Sequence, residues 1–324
     1  MKKSVLKLLL EHQHAYISGE EISRIIGVSR TAVWKHINAL KKEGYVIDSV
    51  HSQGYRLLSK PDIITTEELQ INLLGDFICD IHIYEELSST NEVAKKFAAE
   101  GAPEGTIVFA DKQTKGRGRM GRLWDSKAGI GIWLSLVLRP SIMPAQAAQL
   151  TFVSAVVVCQ AVRDFTGLEA GIKWPNDVMI KGKKICGILT ELSAEIDRIN
   201  YCVAGIGLNV NHQLGDFSTD IVDKATSLML ASGTPYRRLE LLVSILTLYD
   251  RIYREYREKG FSYILEQWKK LNCTLGHEVK VISQEEVYFG TAIDIDADGQ
   301  LMVKIPEGEV RYVIVGDVSI RYVQ

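Results

Sequence analysis

The chain has 324 residues, 46% of them hydrophobic and 24% charged, with a net charge of −2. That composition fits a folded globular protein of two or three domains and excludes a largely disordered chain. No run approaches the roughly 18 uninterrupted apolar residues of a membrane span, and the five cysteines, odd in number and without a C-x-x-C pair, fit reduced structural thiols in the cytoplasm. None of the seven histidines has zinc-site spacing, so no metal site is expected from them.

The N-terminus, Met1 to Leu10, has a signal-like charge order, but Lys7 interrupts its apolar run and no small-residue cleavage site follows. Residues 1–60 carry ten Lys/Arg against five Asp/Glu, leaving 28 against 35 for the remainder. A basic head on an acidic body points to a polyanion partner for the head alone. Ser18-Gly19-Glu20-Glu21 reads as a capping box opening a helix with Ile22, Ile25 and Ile26 on its apolar face. Gly27-Val28 turns the chain, Ser29 caps a second helix from Arg30 to Glu43, and Val33, Ile37 and Leu40 face its core. The outward residues Ser29, Arg30, Thr31, Trp34, Lys35 and Asn38 suit phosphates and base edges, and two short strands, 45–50 and 53–58, complete a winged helix. The alternative for this head is a helical protein-interaction module; the net charge favours DNA.

Ser59-Lys60-Pro61-Asp62 reads as a linker. From residue 65 to 270 strands and helices alternate, as in one α/β domain. Strands are expected at 80–85, 106–110, 131–138, 178–180, 184–192 and 200–209, and helices at 90–100, 146–165, 237–258 and 263–270. Residues 271–324 change to short alternating strands with turns, the pattern of a small β-barrel.

The stretch from Lys115 to Trp124 concentrates four cations and three glycines in Lys115 to Arg122. Glycines allow close backbone approach and guanidinium groups chelate phosphate or carboxylate oxygens, so a loop closing over a polyanion is expected. Gly116, Gly118 and Gly121 also spell G-x-G-x-x-G, but no strand runs directly into the first glycine and no helix follows the last, so a dinucleotide fingerprint is set aside. A solvated basic loop or an RNA-binding tract remains open. Ser88-Ser89-Thr90-Asn91 sits before a helix, either to cap it or to bind a polar ligand. Lys173-Trp174-Pro175-Asn176-Asp177 is either a turn or a rigid corner carrying a carboxylate suited to Mg²⁺ beside phosphates. Lys184 follows a Lys181-Gly182-Lys183 turn on an otherwise apolar strand, where a cation is costly unless paired, so it is expected to meet an anionic ligand.

Together these stretches, followed by Gly205-Ile206-Gly207-Leu208-Asn209-Val210-Asn211, resemble the biotin protein ligases in order and spacing. With the winged helix in front, the chain resembles the bifunctional branch that also represses the biotin operon. The resemblance covers essentially the whole chain. It implies a winged helix-turn-helix over 1–60, a catalytic α/β domain with a mixed, class II synthetase-like sheet over 65–270, and an SH3-like barrel over 271–324. It implies formation of biotinoyl-5′-adenylate from biotin and ATP with Mg²⁺, then transfer of biotin to a lysine of the biotin carboxyl carrier protein of acetyl-CoA carboxylase. Operator DNA is the second partner, with the adenylate as corepressor and a homodimer as the repressing form.

By resemblance, Ser89, Thr90, Asn91 and Gln113 hold biotin, with Gly187 and Leu189 under its ring. Arg117, Gly118 and Arg119 close over its carboxylate and the phosphates, and Trp124 stacks on adenine. Lys184 and Arg119 are the catalytic cations, and Arg122, Asn176, Asp177 and Asn209 complete the ATP site. Met120 and Leu123 depart from the pattern, standing where a further basic residue is expected. A ligand-sensing regulator without ligase activity and a lipoate ligase-like enzyme are the alternatives.

Overall fold

Leucine spacing near the N-terminus builds the first helix of a small core in the computed structural model, which describes residues 1–12, 15–73, 75–283, 286–314 and 319–322. The chain divides into two compact units, 1–72 and 73–324.

In the first unit, α1 (Lys2–Glu11) buries Val5, Leu6, Leu8 and Leu9. Ser18 caps α2 (Gly19–Ile26) by accepting from the Glu21 N–H at 3.0 Å, and Gly27 ends it at φ 75°. Ser29 caps α3 (Arg30–Lys42) through the Ala32 N–H at 3.2 Å. Val33, Ile37 and Leu40 are buried against α1 and α2 as the spacing predicts. Ile22 is buried and Ile26 partly so, but Ile25 is 52% exposed, because α1 and α3 leave that edge of α2 uncovered. Strands β1 (Val46–Val50) and β2 (Gly54–Ser59) form an antiparallel wing, and Tyr55 also bridges Ile17. Helix α4 (Thr66–Asn72), which the sequence pattern did not suggest, belongs to this unit, where Ile63 and Ile71 pack on its core.

The second unit is built on seven strands: β3 (Asp80–Leu87), β4 (Thr106–Gln113), β5 (Gly131–Leu138), β6 (Ala170–Lys173), β7 (Asp177–Ile180), β8 (Lys183–Ala194) and β9 (Ile199–Asn209). Their order is β3-β4-β5-β9-β8-β7-β6, parallel at β3–β4 and antiparallel elsewhere, so the sheet is mixed. Helix α5 (Thr90–Ala99) packs Ala94 and Ala98 on Val108, Val137 and Val203. Helix α6 (Ala148–Thr166) lies against the sheet and against α8 (Arg238–Lys259) and α9 (Phe261–Leu271), with the short α7 (Leu228–Ser232) before them. Residues 144–166 are long and apolar enough to cross a membrane, yet 78% of their apolar window is buried inside the unit. The buried polar side chains of α6 find partners there: Gln149 with Tyr256, Thr151 with Thr190 and Ser154 with Tyr249. Strand β6 was not foreseen, since its four residues show no alternation and run straight into the Trp174-Pro175 corner, whose peptide bond is cis.

Strands β10 (Glu278–Ile282), β11 (Val287–Ile295), β12 (Leu301–Lys304), β13 (Val310–Val313) and β14 (Ser319–Tyr322) make an antiparallel sheet in the order β13-β12-β11-β10-β14. Residues 284, 285, 315–318, 323 and 324 of the expected barrel lie outside the described residues.

The wing rests on Gly54, where φ is 107° and an added Cβ would lie 2.2 Å from the Ile17 carbonyl oxygen. Gly54→Ala is therefore expected to destabilise the first unit by more than about 2 kcal/mol. Hydrogen exchange resolved by segment should show residues 1–72 losing protection while the second unit keeps it.

Candidate active site

Glycines on neighbouring strands leave a bare patch on the central sheet, and that patch floors a cavity of about 270 Å³. Gly187 of β8 pairs with Gly207 of β9, and Gly205 of β9 with Ser135 of β5. A Cβ at 205 would lie 2.2 Å from Asn91 Oδ1, and one at 207 would lie 2.5 Å from Trp124 Nε1. The space those side chains would need is thus taken by residues of the site. All fifteen residues assigned above to biotin or ATP line this one cavity.

At one end sits the start of α5. Ser89 occupies the N-cap position, yet its hydroxyl makes no cap hydrogen bond, so it is left to the cavity. Gln113, at the end of β4, accepts from the Thr90 N–H at 2.8 Å and donates to Ser126 Oγ at 2.8 Å. Asn91 is engaged by the protein: Nδ2 donates to the Glu191 carboxylate at 2.7 Å and to the Leu189 carbonyl at 3.2 Å, while Oδ1 receives the Ser135 hydroxyl at 2.6 Å.

The basic loop forms a narrow excursion. Gly118 N–H donates to Arg122 O, Trp124 N–H donates to Gly116 O, and Met120 and Gly121 turn its tip at positive φ. Two latches hold it over the cavity: Arg119 Nη1 donates to Asn176 Oδ1 at 2.9 Å, and Arg117 lies 3.3 Å from Glu92. Asn176 is itself fixed, donating to the Ile188 carbonyl at 2.8 Å. Arg122 lines the cavity but is exposed, and Asn209 is buried, donating to Thr226 O at 3.1 Å.

Lys184 does not wait unpaired for a ligand. Its Nζ lies 2.5 Å from Asp177 Oδ1 and 5.1 Å from the Trp124 ring centre. Strict alternation would send Lys184 and Gly187 to opposite faces. A bulge at Ile185, where the β7–β8 register shifts, brings both to the cavity. Among the described residues no group of three or more His, Cys, Asp or Glu side chains is placed to hold a metal.

Residues without a motif also line the cavity: His212, Asp216, Phe217, Ile221 and Ala225. They lie in 211–227, which has no strand or helix period to read. His212 is 3% exposed, stacks on Phe217 with ring centres 5.3 Å apart and meets Trp133 edge-on.

In the first unit the expected DNA-reading residues share one side of α3. Ser29, Arg30, Thr31, Trp34 and Lys35 are exposed, Trp34 by 57%, and Asn38 is half-buried. Trp34, Lys35 and Asn38 line a shallow surface cleft with Lys41 and Lys42.

The Biotin/lipoate A/B protein ligase family pattern matches residues 84–209, an HTH domain matches 2–56, and the Biotin protein ligase C terminal domain matches 274–321. The Bifunctional ligase/repressor BirA of Bacillus subtilis (strain 168) is 42% identical over 309 residues, which cover 95% of this chain and 95% of that protein. The chain belongs to the bifunctional biotin protein ligase/repressor family. The Escherichia coli (strain K12) member is 27% identical over 94% of this chain and 92% of its own length. The structure of a biotin protein ligase from Aquifex aeolicus in complex with biotin and ATP superposes with a TM-score of 0.66 at 30% identity, covering 76% of this chain and all of that one.

Among the described residues, His212 is the one histidine that lines the cavity. Burial lowers the His212 pKa to about 4, whereas the unfolded ring binds its proton near 6.5. Stability that is complete above pH 6.5 is therefore lost as the pH falls toward 4, on the order of 2 kcal/mol for this group. His212→Phe should lose several degrees less in melting temperature than the parent between pH 7 and pH 4.5, as measured by calorimetry.

Proposed function

We propose that this chain couples biotin to ATP as biotinoyl-5′-adenylate, transfers biotin to a lysine of a carrier protein, and represses transcription when the adenylate is bound. The observation that carries the reading is the convergence of fifteen motif residues, scattered from 89 to 209, on one cavity. In this reading Ser89, Thr90 and Gln113 receive the cyclic urea of biotin, above Gly187 and Leu189. Arg117, Arg119 and Lys184 face the carboxylate and phosphates. Trp124 covers the adenine, and Arg122, Asn176, Asp177 and Asn209 contribute around the ribose and phosphates.

The chemistry needs no covalent enzyme intermediate. Carboxylate and α-phosphate repel each other, and as the carboxylate oxygen bonds to the α-phosphorus and pyrophosphate leaves, negative charge gathers on the phosphate oxygens. Preorganised cations in a water-poor cavity offset that charge as it develops. Mg²⁺ would arrive with the nucleotide substrate and would supply neutralisation of phosphate charge. Asp177 is the nearest carboxylate to Lys184 in the cavity, suited to holding that lysine until a phosphate replaces it.

The winged helix of the first unit would bind operator DNA through α3, and a two-fold pair would read an inverted repeat. One winged helix makes few phosphate contacts, so tight binding calls for two copies linked together. The adenylate, by ordering the basic loop, would favour that dimer. Carrier protein and operator both place this work in the cytoplasm.

Lys184→Ala is expected to lower biotin-dependent pyrophosphate exchange by about 100-fold or more; near-parental exchange would remove Lys184 from the reaction. Sedimentation and operator binding, run without ligand, with biotin, and with biotin plus ATP, should give dimer and tight DNA binding only in the last state. Equal affinity in all three would leave the ligase reading intact and remove the coupling to repression.

A further inference from the structure

Trp34 stands apart among the residues that α3 turns outward. The core of the first unit closes without it: Val33, Ile37 and Leu40 fill the inward side of α3 at no more than 1% exposure, while Trp34 is 57% exposed. Thr31, Trp34, Lys35 and Asn38 recur at helical spacing on the other side, and Trp34 walls a shallow cleft together with Lys35, Asn38, Lys41 and Lys42. Lys41 Nζ also donates to Ser49 Oγ of β1 at 2.9 Å, so this edge of α3 is fixed beside the wing. An indole thus sits among lysines, in a segment where residues 1–60 carry ten Lys/Arg against five Asp/Glu. That charge suits a nucleic acid, but an indole adds nothing to phosphate binding. Phosphates and sugars call for cations and hydroxyls, which Arg30, Thr31 and Lys35 supply. In the major groove the base edges present donors and acceptors, with one apolar exception, the 5-methyl group of thymine. An indole offers a single N–H and otherwise apolar surface, so the methyl is the feature that it complements.

We infer that Trp34 is a specificity-determining residue that covers the 5-methyl group of a thymine in the major groove, while the lysines around it bind phosphate without regard to sequence. This rests on the reading of the first unit as the operator-binding head. Burying one methyl group against the indole favours thymine over uracil about fourfold. A two-fold pair of heads applies that factor twice, for a ratio of about tenfold or more.

The test selects duplexes from a random-sequence DNA library with the full-length protein in the presence of biotin and ATP. The selected duplexes are then remade with deoxyuridine in place of thymidine, which removes the methyl groups and keeps every hydrogen-bonding edge. The parent should bind the thymidine form about tenfold or more tighter. Trp34→Ala should bring that ratio to within about twofold of unity and keep the salt dependence of binding, because the lysines remain. Lys35→Ala should do the reverse, lowering the salt slope and keeping the ratio. Any effect of the missing methyl groups on DNA shape is common to parent and variant, so the change in ratio isolates Trp34. Melting curves report whether each variant is folded, and Trp34→Gln, a polar residue at ease in a helix, serves if Trp34→Ala is not. A parent that binds both forms alike overturns the inference. So do Trp34 variants that weaken binding to both forms in parallel and keep the parent's ratio. A library from which the parent enriches no sequence overturns the operator reading instead.

Discussion

The absence of side chains at Gly187, Gly205 and Gly207 is the constraint on which the second unit turns. A central sheet buried on both faces must be covered everywhere, and over most of β4, β5 and β9 helix α5 does that with Ala94 and Ala98. Beyond the start of α5 the covering changes from helix to cavity. There the strands carry glycine, and Asn91 and Trp124 occupy the volume that Cβ atoms would claim at 205 and 207. Close packing is kept at this end by Asn91 and the Trp124 indole resting on glycine backbone, and the cavity opens beside them.

The cations around the cavity, Lys184 and Arg119 half-buried and Arg117 exposed, each have a polar partner. Lys184 is held by Asp177, Arg117 by Glu92 and Arg119 by the Asn176 amide. Each partner is weaker or more exposed than a phosphate clamped by two or three cations would be. Under the proposed function, an anionic ligand would draw these cations away from their present partners. The contacts of Arg119 with Asn176 and of Arg117 with Glu92 keep the arginine-rich loop over the cavity.

Much of this was legible in the sequence, and the reasons for success and failure are physical. Strand 131–138 and the helices from 90, 148 and 238 carry long periods and clear end signals. The winged helix is written in local chemistry, with Ser18 and Ser29 as caps and Gly27 as a stop. The cavity residues were found as motifs, because glycines and cations in dense clusters have no use in a packed core. What stayed hidden depends on tertiary register. The Lys184–Asp177 pair was missed because strict alternation cannot foresee the bulge at Ile185 that sets which face Lys184 takes. Ser135 and Glu191 look like ordinary strand residues until β5, β8 and α5 meet around Asn91. His212 and Phe217 sit in a stretch without period, and Ile25 has the right spacing for a face that nothing covers.

No residue of the C-terminal sheet is among the described residues that line the cavity, yet the sheet supports the cavity wall through one tryptophan. Trp174 is buried at the corner between β6 and β7, its N–H donating to Thr274 Oγ1 at 2.8 Å and its indole Nε1 to the Gly299 carbonyl at 3.1 Å. Both acceptors lie beyond residue 271, and Lys269–Asp294 and Cys273 N–H to Ile172 O tie the same junction. The residues that follow Trp174 are Pro175, Asn176 and Asp177, which latch Arg119 and hold Lys184. A corner pinned from behind by a second sheet has little freedom to drift. The Asn176 that holds Arg119 is thus fixed because the two sheets share one buried indole, and both sheets belong to the single compact unit 73–324.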